Sequence, residues 1–179
     1  MRYLLLCLSL LLPACVGSGG GGDIAPEVTP AIGGIAEACG VRGRALGTPV
    51  STFPEQGKAR FTLYDTNPSS SGARVFHVTG FADKCPRAIQ AGNVVFGAPS
   101  VYDVLRIAGG SSVSSLVDTT YASIKRRVCG VGPTTPCPGA SIDELEARTL
   151  FVTVYPRLGG APSATLLIDR GKIVAASGG

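Results

Sequence analysis

The stretch LFVTVYPRLGGAPSATLLIDRGKIVAA, residues 150–176, decides the fold. Leu150 to Tyr155 alternates within a β-branched and aromatic run, which is the pattern of a strand with two different faces. Leu158-Gly159-Gly160-Ala161-Pro162 turns the chain and Ala164 to Ile168 returns as a second strand. Asp169-Arg170-Gly171-Lys172 is a tight hairpin turn, with glycine where a positive φ is needed, and Ile173 to Ala176 completes a three-stranded antiparallel meander.

Working outward, a second β signal places Phe61 and Leu63 on one face with Thr62 and Tyr64 opposite. After Asn67-Pro68-Ser69-Ser70-Ser71-Gly72 it resumes as Phe76 and Val78 against Val75, His77 and Thr79, so the two segments predict a β-hairpin. Between hairpin and meander the spacing turns helical. Pro86, tolerated in a first turn, opens a predicted helix that runs to about Phe96 before Gly97-Ala98-Pro99 breaks it. Ser100 caps a second helix whose Val101, Val104, Leu105 and Ala108 form one apolar stripe, ended by Gly109-Gly110. The third carries Val113, Leu116, Val117, Tyr121, Ile124 and Val128 on one face. Its last turn holds Lys125, Arg126 and Arg127, where the helix dipole favours positive charge. Ser141-Ile142-Asp143-Glu144 reads as a capping box opening a short fourth helix. Each stripe is wide enough to cover a sheet face.

Nearer the amino terminus, Ala31 to Cys39 places Ile32, Ile35, Ala36 and Cys39 at helical spacing and predicts a short helix docked by its disulfide, although Gly33-Gly34 weakens it by about 1 kcal/mol per glycine. Gly40 to Gly57 reads as irregular coil with a short extended piece near Pro49 to Phe53. The order hairpin, helices, meander predicts an α+β fold. Its expected form is one antiparallel β-sheet, made of the N-terminal hairpin plus the C-terminal three-stranded meander, with three to four helices packed on one face.

At the other end of the chain, Arg2 is followed by Tyr3 to Leu12, an almost unbroken leucine run interrupted by Cys7 and Ser9. Such a run is half the length of about 20 residues that a bilayer-spanning helix requires. It closes on Leu12-Pro13-Ala14-Cys15, which resembles the signal peptide and lipidation box of bacterial lipoproteins; Leu12, Ala14 and Cys15 match the box and Pro13 departs from it. The resemblance covers residues 1–15. It implies that residues 1–14 are removed as a lipoprotein signal peptide, that the Cys15 sulfur carries a diacylglyceryl group, and that the membrane is a partner through lipidated Cys15. Gly17 to Gly22, continued by Asp23 to Pro30 with two prolines, makes residues 15–30 a Gly/Pro-rich tether. By analogy with Gram-negative lipoproteins, Val16 after the cysteine implies export to the outer membrane, facing the periplasm.

Composition fits a folded domain on that tether: 45% of residues are hydrophobic and 16% charged. Residues 31–176 are expected to form a single disulfide-bonded α+β domain and residues 177–179 a frayed tail. Without Arg2 the 16 basic residues become 15 against 12 acidic ones, a mildly basic balance too weak to argue for nucleic acid. Of six cysteines, four remain once Cys7 is cleaved off and Cys15 acylated: Cys39, Cys85, Cys129 and Cys137. An even number in an exported domain argues for disulfides, with three pairings open. Cys129 and Cys137 flank Gly130-Val131-Gly132-Pro133-Thr134-Thr135-Pro136, whose turn residues bring its ends together, so they pair locally and Cys39 is left for Cys85. No short Cys-x2-Cys or histidine cluster offers a metal site, and no cofactor is expected.

Candidate chemistry is sparse. His77, the sole histidine, could serve as a base for Cys85, a serine or a threonine, but strand alternation puts it on a polar sheet face with Thr62 and Tyr64, so no catalytic residue is assigned. Nucleophile elbows, metalloprotease helices and phosphate-binding glycine loops are absent from the sequence. Lys125, Arg126 and Arg127, with Arg87, Arg106 and Arg148 elsewhere, could bind phosphate or carboxylate groups of envelope glycolipid or peptidoglycan; a solvated helix end is the plainer reading. The sequence thus points to a cell-envelope lipoprotein with a non-catalytic binding, accessory or structural domain, its partner an envelope protein or a cell-wall polymer. The alternative is an envelope hydrolase or thiol enzyme using His77.

Overall fold

Leu150, Val152 and Val154 face one hydrophobic cluster while Phe151, between them, faces another, so the strand signal at the end of the chain serves two cores at once. The computed structural model describes residues 29–108 and 115–178. The chain is α+β, with nine strands and three helices among the described residues. The strands are β1 (Ile35–Glu37), β2 (Thr48–Phe53), β3 (Phe61–Asp65), β4 (Arg74–Thr79), β5 (Arg87–Ala91), β6 (Asn93–Gly97), β7 (Thr149–Tyr155), β8 (Ala164–Asp169) and β9 (Lys172–Ser177). The helices are α1 (Pro99–Ala108), α2 (Leu116–Cys129) and α3 (Gly139–Glu146), and a 3-10 turn lies at Gly43–Leu46.

The single expected sheet is two. One has five strands in the order β1-β5-β4-β3-β2, the other four in the order β6-β7-β8-β9, and every neighbouring pair is antiparallel. Their facing sides share one cluster, to which the first sheet gives Phe53, Phe61, Phe76 and Ile89 and the second Val94, Val152, Leu166 and Ile168. The outer side of the second sheet packs Phe151, Leu167 and Ala175 against Val117, Tyr121, Ile124 and Leu145 of the helices. The result is three layers: sheet, sheet, helices. Each large side chain so buried contributes about 1.5–3 kcal/mol.

The predicted helix from Pro86 to Phe96 is instead β5 and β6, one strand in each sheet. Ile89 and Val94 are better placed between sheets than on a helix, and Gly92 makes the corner that passes the chain from one sheet to the other. A Cβ there would lie 2.7 Å from Arg157 Cα, and the Gly92 amide donates to Tyr155 O at 2.9 Å, so backbone meets backbone where no side chain fits. Arg74 fastens the corner from the other sheet, its Nη1 donating to Gly92 O at 2.7 Å while its Nη2 pairs with Asp65 Oδ2 at 2.7 Å. The helix expected over Ile32 to Cys39 is likewise extended: β1 pairs with β5, and Gly33 takes a φ of +82° that a helix cannot use.

The extended piece expected near Pro49 to Phe53, within the coil over Gly40 to Gly57, is present as a complete edge strand, β2. Two smaller expectations are corrected. Ser141 opens no helix, since α3 starts at Gly139 after Pro138; among the described residues a capping box forms instead from Ser115 with Asp118, at the start of α2. Ser177 is no frayed tail, because it ends β9 opposite Thr165. Val113 and residues 109–110 and 1–28 lie outside the described residues.

Candidate functional site

The apolar stripe of α1 faces outward. Val101, Val104 and Leu105 are 54%, 65% and 67% exposed, and Leu116 at the start of α2 is 63% exposed. The helix instead turns its polar residues toward the protein, where Asp103 is buried and Tyr102 and Arg106 are partly so. A 10-residue helix with this inverted face is held by charge, hydrogen bonds and the ring of Tyr102 rather than by its aliphatic stripe.

Those bonds run to α2. Lys125, fully buried, places its ammonium 2.8 Å from Asp103 Oδ2. The contact is too oblique for a directed hydrogen bond at that oxygen, so Coulomb attraction pairs it. Tyr121 Oη donates to the other oxygen, Asp103 Oδ1, at 3.0 Å. One turn further along α1 and back along α2, Asp118 accepts from Tyr102 Oη and pairs with Arg106 at 2.6 Å, while its second oxygen accepts from Ser115 Oγ at 2.8 Å. Tyr102 lies flat on Phe151, with ring centroids 3.9 Å apart, which anchors the network to β7. Glu146 of α3 accepts from the Ser100 amide at 3.2 Å, meeting an unsatisfied donor and the positive end of α1.

Electrostatics follow from burial and partners. Burial, then the bond to Asp118, pushes the Tyr102 hydroxyl well above its ordinary range, and burial with Asp103 does the same to Tyr121, so both stay protonated donors. Burial pushes Asp118 up, but bonds from Tyr102 and Ser115 and the charge of Arg106 outweigh it and hold the carboxyl below its ordinary value. A cavity of about 20 Å³ between Asp103, Tyr121 and Pro133 has room for about one water, not a substrate. A groove of about 360 Å³ bounded by Ile32, Ser71 and Pro156 offers Arg157 as its one titratable side chain, which cannot by itself carry acid–base chemistry.

The residues singled out by sequence do not assemble into one site. Lys125 is buried in its ion pair and cannot contact a bulk anion, so the expected patch reduces to Arg126 and Arg127, both exposed. Arg87 pairs with Asp83 at 2.5 Å, Arg106 with Asp118, and Arg148 with Asp169 at 2.7 Å. His77 does not lie on a polar surface: it is 1% exposed, and its Nδ1 donates to Leu46 O at 2.9 Å across the 3-10 turn. The face opposite Phe76 and Val78 is covered by that turn. Cys39 is disulfide-bonded to Cys85 and Cys129 to Cys137, with Cα separations of 4.3 and 5.4 Å. Glu37 approaches the first pair, yet sulfurs bound to each other are no thiolate ligands. Cys15 lies outside the described residues.

Sequence reasoning missed Tyr102, Asp103 and Arg106 as inward residues. The signal was present: Asp103 and Arg106 are three apart on α1, and Asp118 and Lys125 seven apart on α2, opposite charges at spacings that share a helix face. Among the described residues no helix is long and apolar enough to cross a membrane. No protein-family model, curated protein or solved structure matches the chain.

Proposed function

We propose that the chain is an exported lipoprotein of the cell envelope. Its domain, residues 31–176, works by binding, as an accessory or structural part, rather than by catalysis. The observation that carries this reading is the pair of disulfides, Cys39–Cys85 and Cys129–Cys137, which use the four cysteines expected to remain after processing and fit an oxidising compartment. The Leu12-Pro13-Ala14-Cys15 box supplies the address, with an acylated Cys15 at the outer membrane facing the periplasm. The enzyme alternative is weakened because its two named residues are engaged: Cys85 in a cross-link and His77 buried against Leu46.

The test is intact-mass measurement of protein purified from membranes. The expected product begins at Cys15 with the mass of a diacylglyceryl group and an acyl chain, partitions into detergent, and loses both properties in Cys15→Ala. An unmodified amino terminus at another residue overturns the anchoring. Crosslinking in intact envelopes followed by capture then separates an envelope-protein partner from a cell-wall polymer.

A further inference from the structure

The exposed apolar stripe of α1 is fixed in place. Rotating the helix to bury Val101, Val104 and Leu105 would pull Asp103 from Lys125 and Arg106 from Asp118, leaving Lys125, fully buried, without its counter-charge. The outward face is therefore the stable state of the folded protein, and a surface of another kind must meet it. Apolar residues at 101, 104 and 105 line one side of a short helix, the geometry of a helix that lies in a lipid–water interface. Arg126, exposed and without an ion pair among the described residues, follows Lys125 in the turn of α2 that is tied to α1. A cation at that edge suits the anionic headgroups of a bilayer.

Chain length makes the bilayer the occupant within reach. Ile32 is bridged to Gln90, and the nine residues from Gln90 to Pro99 cover no more than about 30 Å. The chain from Cys15 to Ile32 can extend up to about 55 Å, so an anchor at Cys15 leaves α1 free to touch the same membrane. We propose that α1 docks on the lipid bilayer through Val101, Val104 and Leu105, with Arg126 at the headgroups, and so sets which way the domain faces; this rests on the anchored reading above.

The experiment replaces the native anchor, so that a failure of lipidation and a failure of docking are read separately. The chain from residue 15, with Cys15→Ser and an amino-terminal hexahistidine, is bound to phosphatidylethanolamine–phosphatidylglycerol vesicles that contain a nickel-chelating lipid. Hydrogen exchange is compared on the vesicle and after release with EDTA. The expected result is that amides of residues 101–107 exchange about ten-fold more slowly on the vesicle while those of β7 and β8 are unchanged. In V104E/L105E the slowing is lost although the protein stays anchored and melts normally; Leu105→Ala gives an intermediate loss should the double variant fold poorly. Equal exchange on and off the vesicle overturns the proposal. So does slowing that follows protein concentration without lipid, which would indicate a second copy, or slowing that appears only with added envelope protein.

Discussion

Lys125 shows how far a residue's role depends on what faces it. In the sequence it belongs to a basic run; in the fold it neutralises Asp103 at 2.8 Å inside the protein. Removing one member of a buried pair strands the other charge, at a cost of about 3–5 kcal/mol, whereas replacing both with apolar residues of similar size is near neutral or stabilising. Lys125→Met is expected to lower the urea midpoint sharply, and Lys125→Met with Asp103→Leu to restore most of the loss. Equal instability of single and double variants would show that the pair is not coupled. His77 carries a second consequence. An exposed histidine would tolerate alanine, but one that is buried beneath the 3-10 turn and donates to Leu46 O should cost about 2–4 kcal/mol when truncated, through the cavity and the unpaired carbonyl. Urea unfolding of His77→Ala measures it; a change below about 0.5 kcal/mol would contradict this packing.

Among the elements, α1 and β5 reveal opposite ways in which local pattern misleads. The helical spacing of α1 is real, yet its stripe faces solvent, because periodicity locates an apolar side without saying what covers it. For β5 and β6, Pro86 is a helix start signal that strand pairing with β4 and β7 outweighs. The α1–α2 contact should also respond to acid. Asp118 is held below its ordinary value of 3.8 when folded, so its stabilisation is fully present above about pH 5 and is lost as pH falls through 3.8 toward the lower folded value. Asp169, held down by Arg148 against the opposing effect of burial, adds to the same acid limb. Melting temperature between pH 7 and 3 is expected to fall less steeply in Asp118→Asn than in the parent. Parallel curves would exclude Asp118 as a contributor.

At the scale of the whole molecule, the two disulfides brace different layers. Cys39–Cys85 joins the segment after β1 to the start of β5 across a separation of 46 residues, while Cys129–Cys137 closes the loop between α2 and α3 across 8. Loop entropy gives about 4 kcal/mol for the first and about 2.6 kcal/mol for the second. Cys39→Ala/Cys85→Ala should therefore lower the melting temperature more than Cys129→Ala/Cys137→Ala. The reverse order would mean that native-state packing, not chain entropy, sets the contribution.

The sequence by itself determined the α+β class, the positions of strands β3, β4, β7, β8 and β9, and the local pairing of Cys129 with Cys137. These rest on near-neighbour physics: alternation with a period of two, turn residues such as Arg170-Gly171 at φ +50° and +76°, and short loop closure. Only the tertiary structure decided that there are two sheets, that β5 and β6 are strands, that His77 and Lys125 are buried, and that α1 turns its apolar stripe to solvent. Each of these depends on contacts between residues distant in the chain. A side chain's preference for a buried or exposed place is written locally, but the partner that makes the place buried or charged is not.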